Sequence, residues 1–173
     1  YERYLHELAK MEAYERHNRK IAILLKKSKL PREKTLDTFE LNRLPKKIRA
    51  VLPTLCEGSF LSRAECVLAF GNPGSGKTHL LCGIAHELVK HGHAVFHTSA
   101  AMLVQRLLRA KRDLRLSQEL KKLDKFAAVL IDDIGGIKFP AAPVNHAPSA
   151  PNPGPLARHP SLEYLLDVNF SSP

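Results

Sequence analysis

The chain has 173 residues, with 27 Lys and Arg against 17 Asp and Glu for a net charge of +10, and 44% of its side chains are hydrophobic. That length suits one ordinary domain and is too short for two large ones. Periodic apolar runs exclude wholesale disorder, and the longest of them, such as residues 21–25 and 126–131, fall far short of the ~20 apolar residues of a membrane span.

The charge is unevenly placed. Residues 1–50 carry 14 basic and 7 acidic side chains, residues 106–125 carry 8 and 3, and residues 136–173 are neutral yet hold 8 of the 12 prolines. Three cysteines, Cys56, Cys66 and Cys82, form no C-x-x-C pair. They are expected to be buried, reduced thiols inside a cell, and with no secretory pattern at the first residues the expected location is cytoplasmic.

In chain order, Tyr1, Tyr4, Leu5, Leu8 and Met11, then Ile21, Leu24 and Leu25, recur at helical spacing, which predicts one or two amphipathic helices up to Lys27. Pro31 stops that run, Leu36 to Leu44 reads as an irregular connector, and a basic helix is predicted near Lys46 to Leu55, followed by a turn at Glu57-Gly58-Ser59. A strand over Cys66 to Phe70 precedes a helix over Thr78 to Lys90 that Gly92 caps. A second strand, Ala94 to Thr98, leads through the N-cap Ser99 into a helix over Ala100 to Ala110, and a short helix is predicted near Ser117 to Asp124. A third strand, Ala127 to Ile131, runs into Asp132-Asp133. Apolar strands alternating with helices predict an α/β fold with a parallel sheet and helices on both faces. The proline-rich segment from Gly136 is expected to be irregular or disordered, with a helical turn around Leu162 to Leu166.

The segment Gly71-Asn72-Pro73-Gly74-Ser75-Gly76-Lys77-Thr78 satisfies G-x-x-x-x-G-K-[ST] between a strand and a helix. Backbone N–H groups exposed by the glycines suit a phosphate, and the helix that follows presents its positive end. Lys77 would reach the β and γ phosphates of ATP, and Thr78 would ligate Mg²⁺. The strand ending in Asp132 would hold the same Mg²⁺ from the other side. Asp133 would orient or deprotonate the attacking water. Other candidates are weaker. The stretch His86 to His91 is one residue too long for the zinc motif H-E-x-x-H, and His91, His93 and His97 have no supporting cysteine or carboxylate cluster. GTP is disfavoured because no N-K-x-D follows the third strand. Residues 19–34 and 106–122, where acids do not balance the bases, are candidate contacts for DNA phosphates; in residues 1–16 interleaved glutamates favour a solvated helix face.

GNPGSGKTHL at Gly71 to Leu80, with His79 and Leu80 after the loop, and VLIDDIG at Val129 to Gly135, resembles the AAA+ clade of IstB transposition helpers and DnaC-type helicase loaders. The charged helices, the connector and Phe60 to Glu65 look most like IstB. The resemblance covers residues 1–135 and implies a P-loop NTPase preceded by N-terminal helices. It divides the chain into a basic helical region (1–50), a partial AAA+ core (51–135) and a non-homologous segment (136–173). It implies that Gly71, Asn72, Pro73, Gly74, Ser75, Gly76, Lys77, Thr78 and His79 bind ATP, with Asp132 on the metal and Asp133 and Lys77 catalytic. Many AAA+ relatives have Glu where Asp133 stands.

The implied role is an ATPase that assembles on DNA, through the basic N-terminal region and residues 106–125, and helps the transposase of the same insertion sequence. Self-association is also implied. Two alternatives are a nucleotide-binding remnant without productive hydrolysis and a helicase-loader adaptor. In the family's sheet order, 5-1-4-3-2, a fourth strand lies between the first and the third. None is recognisable after Gly135, so truncation by a frameshift or its equivalent is expected, leaving exposed sheet edges.

Overall fold

A computed structural model describes residues 1–134 and the strand at 162–167. The N-terminal apolar periodicity produces one helix, α1 (Glu2–Ser28), closed by Lys29 in the left-handed conformation at φ 59°. The Ser28 hydroxyl donates to the Leu25 carbonyl at 2.8 Å and accepts the Leu30 N–H at 3.2 Å, so the chain turns sharply before Pro31. Residues 2–20 of the helix are exposed; Ile21, Leu24 and Leu25 pack against the core. Arg16 and Arg19 bond Glu12 and Glu15 one turn earlier, each at 2.8 Å, and Arg16 holds the Glu12 carboxyl below its ordinary range.

Residues 31–40 form turns, Leu41–Arg43 a 3₁₀ turn, and α2 spans Lys46–Glu57. Ile48, Leu52 and Leu55, at i, i+4 and i+7, are its buried stripe. α2 runs two residues past the predicted end, with Pro53 inside it. After Gly58 a one-turn helix, α3 (Ser59–Ser62), buries Phe60 where only a turn was expected.

β1 (Cys66–Phe70) feeds the glycine-rich loop and α4 (Lys77–Lys90). The α4 helix ends in a Schellman cap: Gly92, at φ 86°, donates to Val89 and His93 donates to Leu88, at 2.9 and 3.0 Å. β2 (Val95–Ser99), α5 (Ala100–Arg112), α6 (Leu116–Leu123) and β3 (Ala128–Asp132) follow. The Ser99 hydroxyl accepts the Met102 N–H at 3.3 Å, the N-cap that the sequence predicts.

The strands are parallel, but they form two separate pairs instead of the single expected sheet. β2 lies beside β3 in the register Val95↔Ala128 to Ser99↔Asp132. β1 lies beside β4 (Leu162–Asp167), with Phe70 opposite Asp167. The helical turn expected at Leu162 to Leu166 is therefore corrected to a strand: β1 offers it an edge of backbone donors and acceptors, and strand preference follows such context more than local pattern. The rest of the segment from Gly136, with the disorder expected there, lies outside the described residues.

One hydrophobic cluster runs from Leu30 through Leu44, α2 and Phe60 to α4 and Val95. Leu55, Leu80 and Val89 are wholly inaccessible to solvent, so the helix that starts at the glycine-rich loop is also the centre of the core.

Candidate functional site

The loop between β1 and α4 takes its shape from glycine. Gly71, Gly74 and Gly76 have φ of 148°, 80° and 77°, which other L-residues rarely adopt. The Ser75 N–H donates to the Asn72 carbonyl at 3.2 Å, closing a turn around the exposed Pro73 and Gly74. Gly76 is the N-cap of α4, and its carbonyl accepts the Leu80 N–H at 2.9 Å. The amides of the first turn, at Lys77, Thr78 and His79, therefore have no partner within the helix and carry its positive end.

Lys77 folds back over this loop. Its ammonium donates to the carbonyls of Gly71 and Asn72 at 2.8 and 2.7 Å and to Ser75 Oγ at 3.3 Å. A cation bridging neutral carbonyls can exchange them for anionic oxygens, which accept stronger hydrogen bonds.

Thr78 and Asp132, 54 residues apart in sequence, meet directly: Thr78 Oγ1 donates to Asp132 Oδ1 at 2.8 Å. The same carboxylate oxygen accepts the Asp133 N–H at 2.9 Å. A hydroxyl and a carboxylate at hydrogen-bond distance are a hard-oxygen pair of the kind that holds Mg²⁺ beside phosphate oxygens, so these residues fit the ion. Asp133 is exposed and sits at φ 58°, a left-handed backbone that ends β3 abruptly.

His79 is engaged elsewhere. Its Nε2 lies 3.0 Å from both the Thr35 carbonyl and Thr38 Oγ1; because a carbonyl only accepts, Nε2 carries the proton. Its ring meets Phe39 edge-on at 5.1 Å. One turn on, a Cβ at Gly83 would come within 2.6 Å of Leu36 Cδ2 and 3.1 Å of the Leu36 backbone N. Farther along, His86 Nε2 is 2.9 Å from the Pro31 carbonyl. His79, Gly83 and His86 thus form one stripe of α4, at i, i+4 and i+7, covered by residues 31–39. Sequence reading treats this segment as an irregular connector and misses the strap. The available signal was a small residue flanked by two histidines at helical spacing.

The remaining histidines are apart from one another in their bonding. His91 Nδ1 pairs with the Glu87 carbonyl at 2.9 Å, and His97 Nδ1 lies 3.4 Å from the Lys29 carbonyl. Burial pushes the Cys82 and Cys56 thiols up to about 11.

The basic stretch 106–125 folds into α5 and α6, which enclose a groove of ≈590 Å³ lined in part by Arg106, Arg109, Arg115 and Lys122. Glu119 pairs with Arg106 at 2.7 Å and with Lys122, while no ion pair involves Arg109 or Arg115 among the described residues.

The whole of this geometry lies within a stretch, residues 1–146, that matches the model of the IstB-like ATP binding protein family. The chain belongs to that family. The match extends past Gly135, where the motif resemblance stops. Among curated relatives, an insertion-sequence ATP-binding protein of Sinorhizobium fredii is 37% identical over 133 residues, 76% of this chain and 45% of the relative. The IS5376 ATP-binding protein of Geobacillus stearothermophilus is 36% identical over 139 residues, 80% of this chain and 55% of the relative. The IS21 ATP-binding protein of Pseudomonas aeruginosa is 35% identical over 120 residues, 69% and 45% respectively. The chain thus spans about half the length of the curated relatives it matches. Among the described residues no helix is long and apolar enough to cross a membrane.

Proposed function

We propose that this IstB-like chain binds ATP with Mg²⁺ through Gly71 to Thr78 and Asp132, and serves the transposase of its own insertion sequence as a DNA-associated helper. The observation that carries the nucleotide part is the 2.8 Å hydrogen bond joining Thr78 to Asp132. It joins the helix start that suits phosphate to the carboxylate that suits a metal. In this reading the loop amides and the start of α4 take the phosphates, and Lys77 leaves the carbonyls of Gly71 and Asn72 for phosphate oxygens. Thr78 and Asp132 supply oxygens to Mg²⁺, whose charge offsets that of the phosphates. Asp133 orients or deprotonates the attacking water.

DNA contact is assigned to the basic N-terminal region and to the α5–α6 groove, where Arg109 and Arg115 carry no ion pair among the described residues. The insertion-sequence names of the relatives favour a transposase over a replicative helicase as partner, and self-association on DNA belongs to the same reading.

ATP binding and turnover measured on the wild-type chain and on Lys77→Ala test the core of this reading. Removing the ammonium should weaken ATP binding by roughly 10- to 100-fold, the size of a lost charge-assisted hydrogen bond. Turnover raised by DNA supports the helper ATPase. Binding without turnover leaves a nucleotide-binding remnant, and no binding at all rejects the site. Retention of a replicative helicase instead of the transposase by the immobilised full chain would move the reading to helicase loading.

A further inference from the structure

The turn between α5 and α6 sets a bare leucine at the tip of a basic hairpin. Asp113 N–H donates to the Arg109 carbonyl, Leu114 N–H to Lys111 and Arg115 N–H to Ala110, at 3.0, 3.2 and 2.7 Å, which closes α5 in a Schellman cap. Leu114 takes the left-handed position of that cap, at φ 55°. Glycine suits such a backbone, and Gly58 and Gly92 supply it at the ends of α2 and α4. Among the described residues Leu114 is the only large apolar side chain in left-handed backbone, and it is 92% exposed. Neither backbone preference nor burial accounts for a leucine there.

Its surroundings select a partner. Residues 106–115 carry five cations, Arg106, Arg109, Lys111, Arg112 and Arg115, against the one acid Asp113. Asp113 and Arg115, on either side of Leu114, line the α5–α6 groove together with Arg109. Arg106 is tied down: it joins α5 to α6 through Glu119 and lies 5.7 Å from the centre of the Phe96 ring. Cations around an apolar tip match phosphates around stacked bases, because the charges hold the backbone while the apolar side chain enters a base step.

We propose that Leu114 is a wedge that inserts between adjacent base pairs of duplex DNA, with Arg109 and Arg115 on the flanking phosphates. This rests on the DNA reading above and adds to it a contact with the bases. A leucine has no hydrogen-bonding groups, so it tells base steps apart by how easily they open. Pyrimidine–purine steps such as TA are the preferred sites.

The fluorescence of 2-aminopurine, placed beside a central TA step in a short duplex, tests this with the full chain in ATP and Mg²⁺. Binding should raise the signal at least about twofold as the base unstacks. Leu114→Ala should abolish the rise and weaken binding about tenfold, since most of the leucine's apolar area is lost, while leaving the salt dependence unchanged. Arg115→Gln should do the reverse, lowering the slope of log affinity against log salt by about 0.9 and keeping the rise at saturation. Leu114→Gly suits the backbone, so it should not lower the denaturant midpoint, yet it should lose the rise as Leu114→Ala does. Leu114→Met, apolar and of similar length, should keep it. Duplex binding with no rise, or with a rise that Leu114→Ala retains, overturns the proposal and leaves the DNA reading standing. Leu114-dependent retention of the transposase in that case puts the tip on a protein surface instead. No binding of the duplex by the wild-type chain overturns both.

Discussion

On one side of α4, His79, Gly83 and His86 lie under residues 31–39, with both histidines hydrogen-bonded to backbone carbonyls. On the other side, Leu81, Ile84 and Leu88 line a cleft between two strands that no ladder joins among the described residues. The same helix is therefore held by hydrogen bonds to backbone carbonyls on its connector side and by apolar burial on its sheet side, where Ile84 and Leu88 are 5% and 3% exposed. The start of α4 is held from the N-terminal side: Thr35, Thr38 and Phe39 all contact His79, two residues beyond Lys77. From the strand side, β1 feeds the loop and β3 adds the Asp132 carboxylate, which accepts the Thr78 hydroxyl.

The comparison is broken most severely from its centre. Leu80 is 0% exposed, and Leu80→Ala should cost about 2–5 kcal/mol, measured as a shift in the denaturant midpoint at constant slope. The next effect is one of pH. Cys82 is also 0% exposed, and burial, its largest cause, raises its thiol from 9.0 to about 11, with Asp132 and Glu33 adding to the rise. Because the folded value lies above the unfolded one, this contribution is whole below about pH 9 and is lost as pH rises toward 11. It amounts to roughly 2–3 kcal/mol on that shift. Cys82→Ala should flatten the stability profile over that window, and alkylation of Cys82 should be slow in the folded chain at pH 8.

On the connector side, Gly83→Ala gains helix propensity of about 0.5–1 kcal/mol but forces Leu36, whose backbone N would lie 3.1 Å from the new Cβ, to move. Overpacking costs about 1–3 kcal/mol, so a net loss of about 1 kcal/mol is expected by thermal unfolding. The same variant should loosen the grip on His79, seen as faster amide exchange at residues 35–39.

The glycine-rich turn and its meeting with Asp132 were legible in outline because the pattern fixes spacing. Gly71, Gly74 and Gly76 are set by backbone conformation, Lys77 and Thr78 by the helix start, and Asp132 by the end of an apolar strand. The caps at Ser99 and Gly92 were legible for the same reason: each is local. The strap was not, since residues 31–39 have no apolar period and acquire meaning only against the stripe His79, Gly83 and His86. Nor was the division of the strands into two pairs, because which edges meet depends on segments far apart in sequence. Leu162 to Leu166 shows the limit most clearly: its pattern suggested a helical turn, and pairing with β1 makes it a strand.

The smallest expected effect is that of Val129→Ala, set against the same truncation at Val95. Val95 on β2 is 1% exposed and Val129 on β3 is 37% exposed. Truncation to Ala removes the same atoms from each, so the difference measures how far each side is covered. At about 0.8 kcal/mol per buried methylene, Val95→Ala should cost about 1.5–2.5 kcal/mol and Val129→Ala less than about 1 kcal/mol. Both costs are read from the denaturant midpoint at constant slope. Equal costs would mean that Val129 is covered as fully as Val95, against the 37% and 1% exposure the two side chains show.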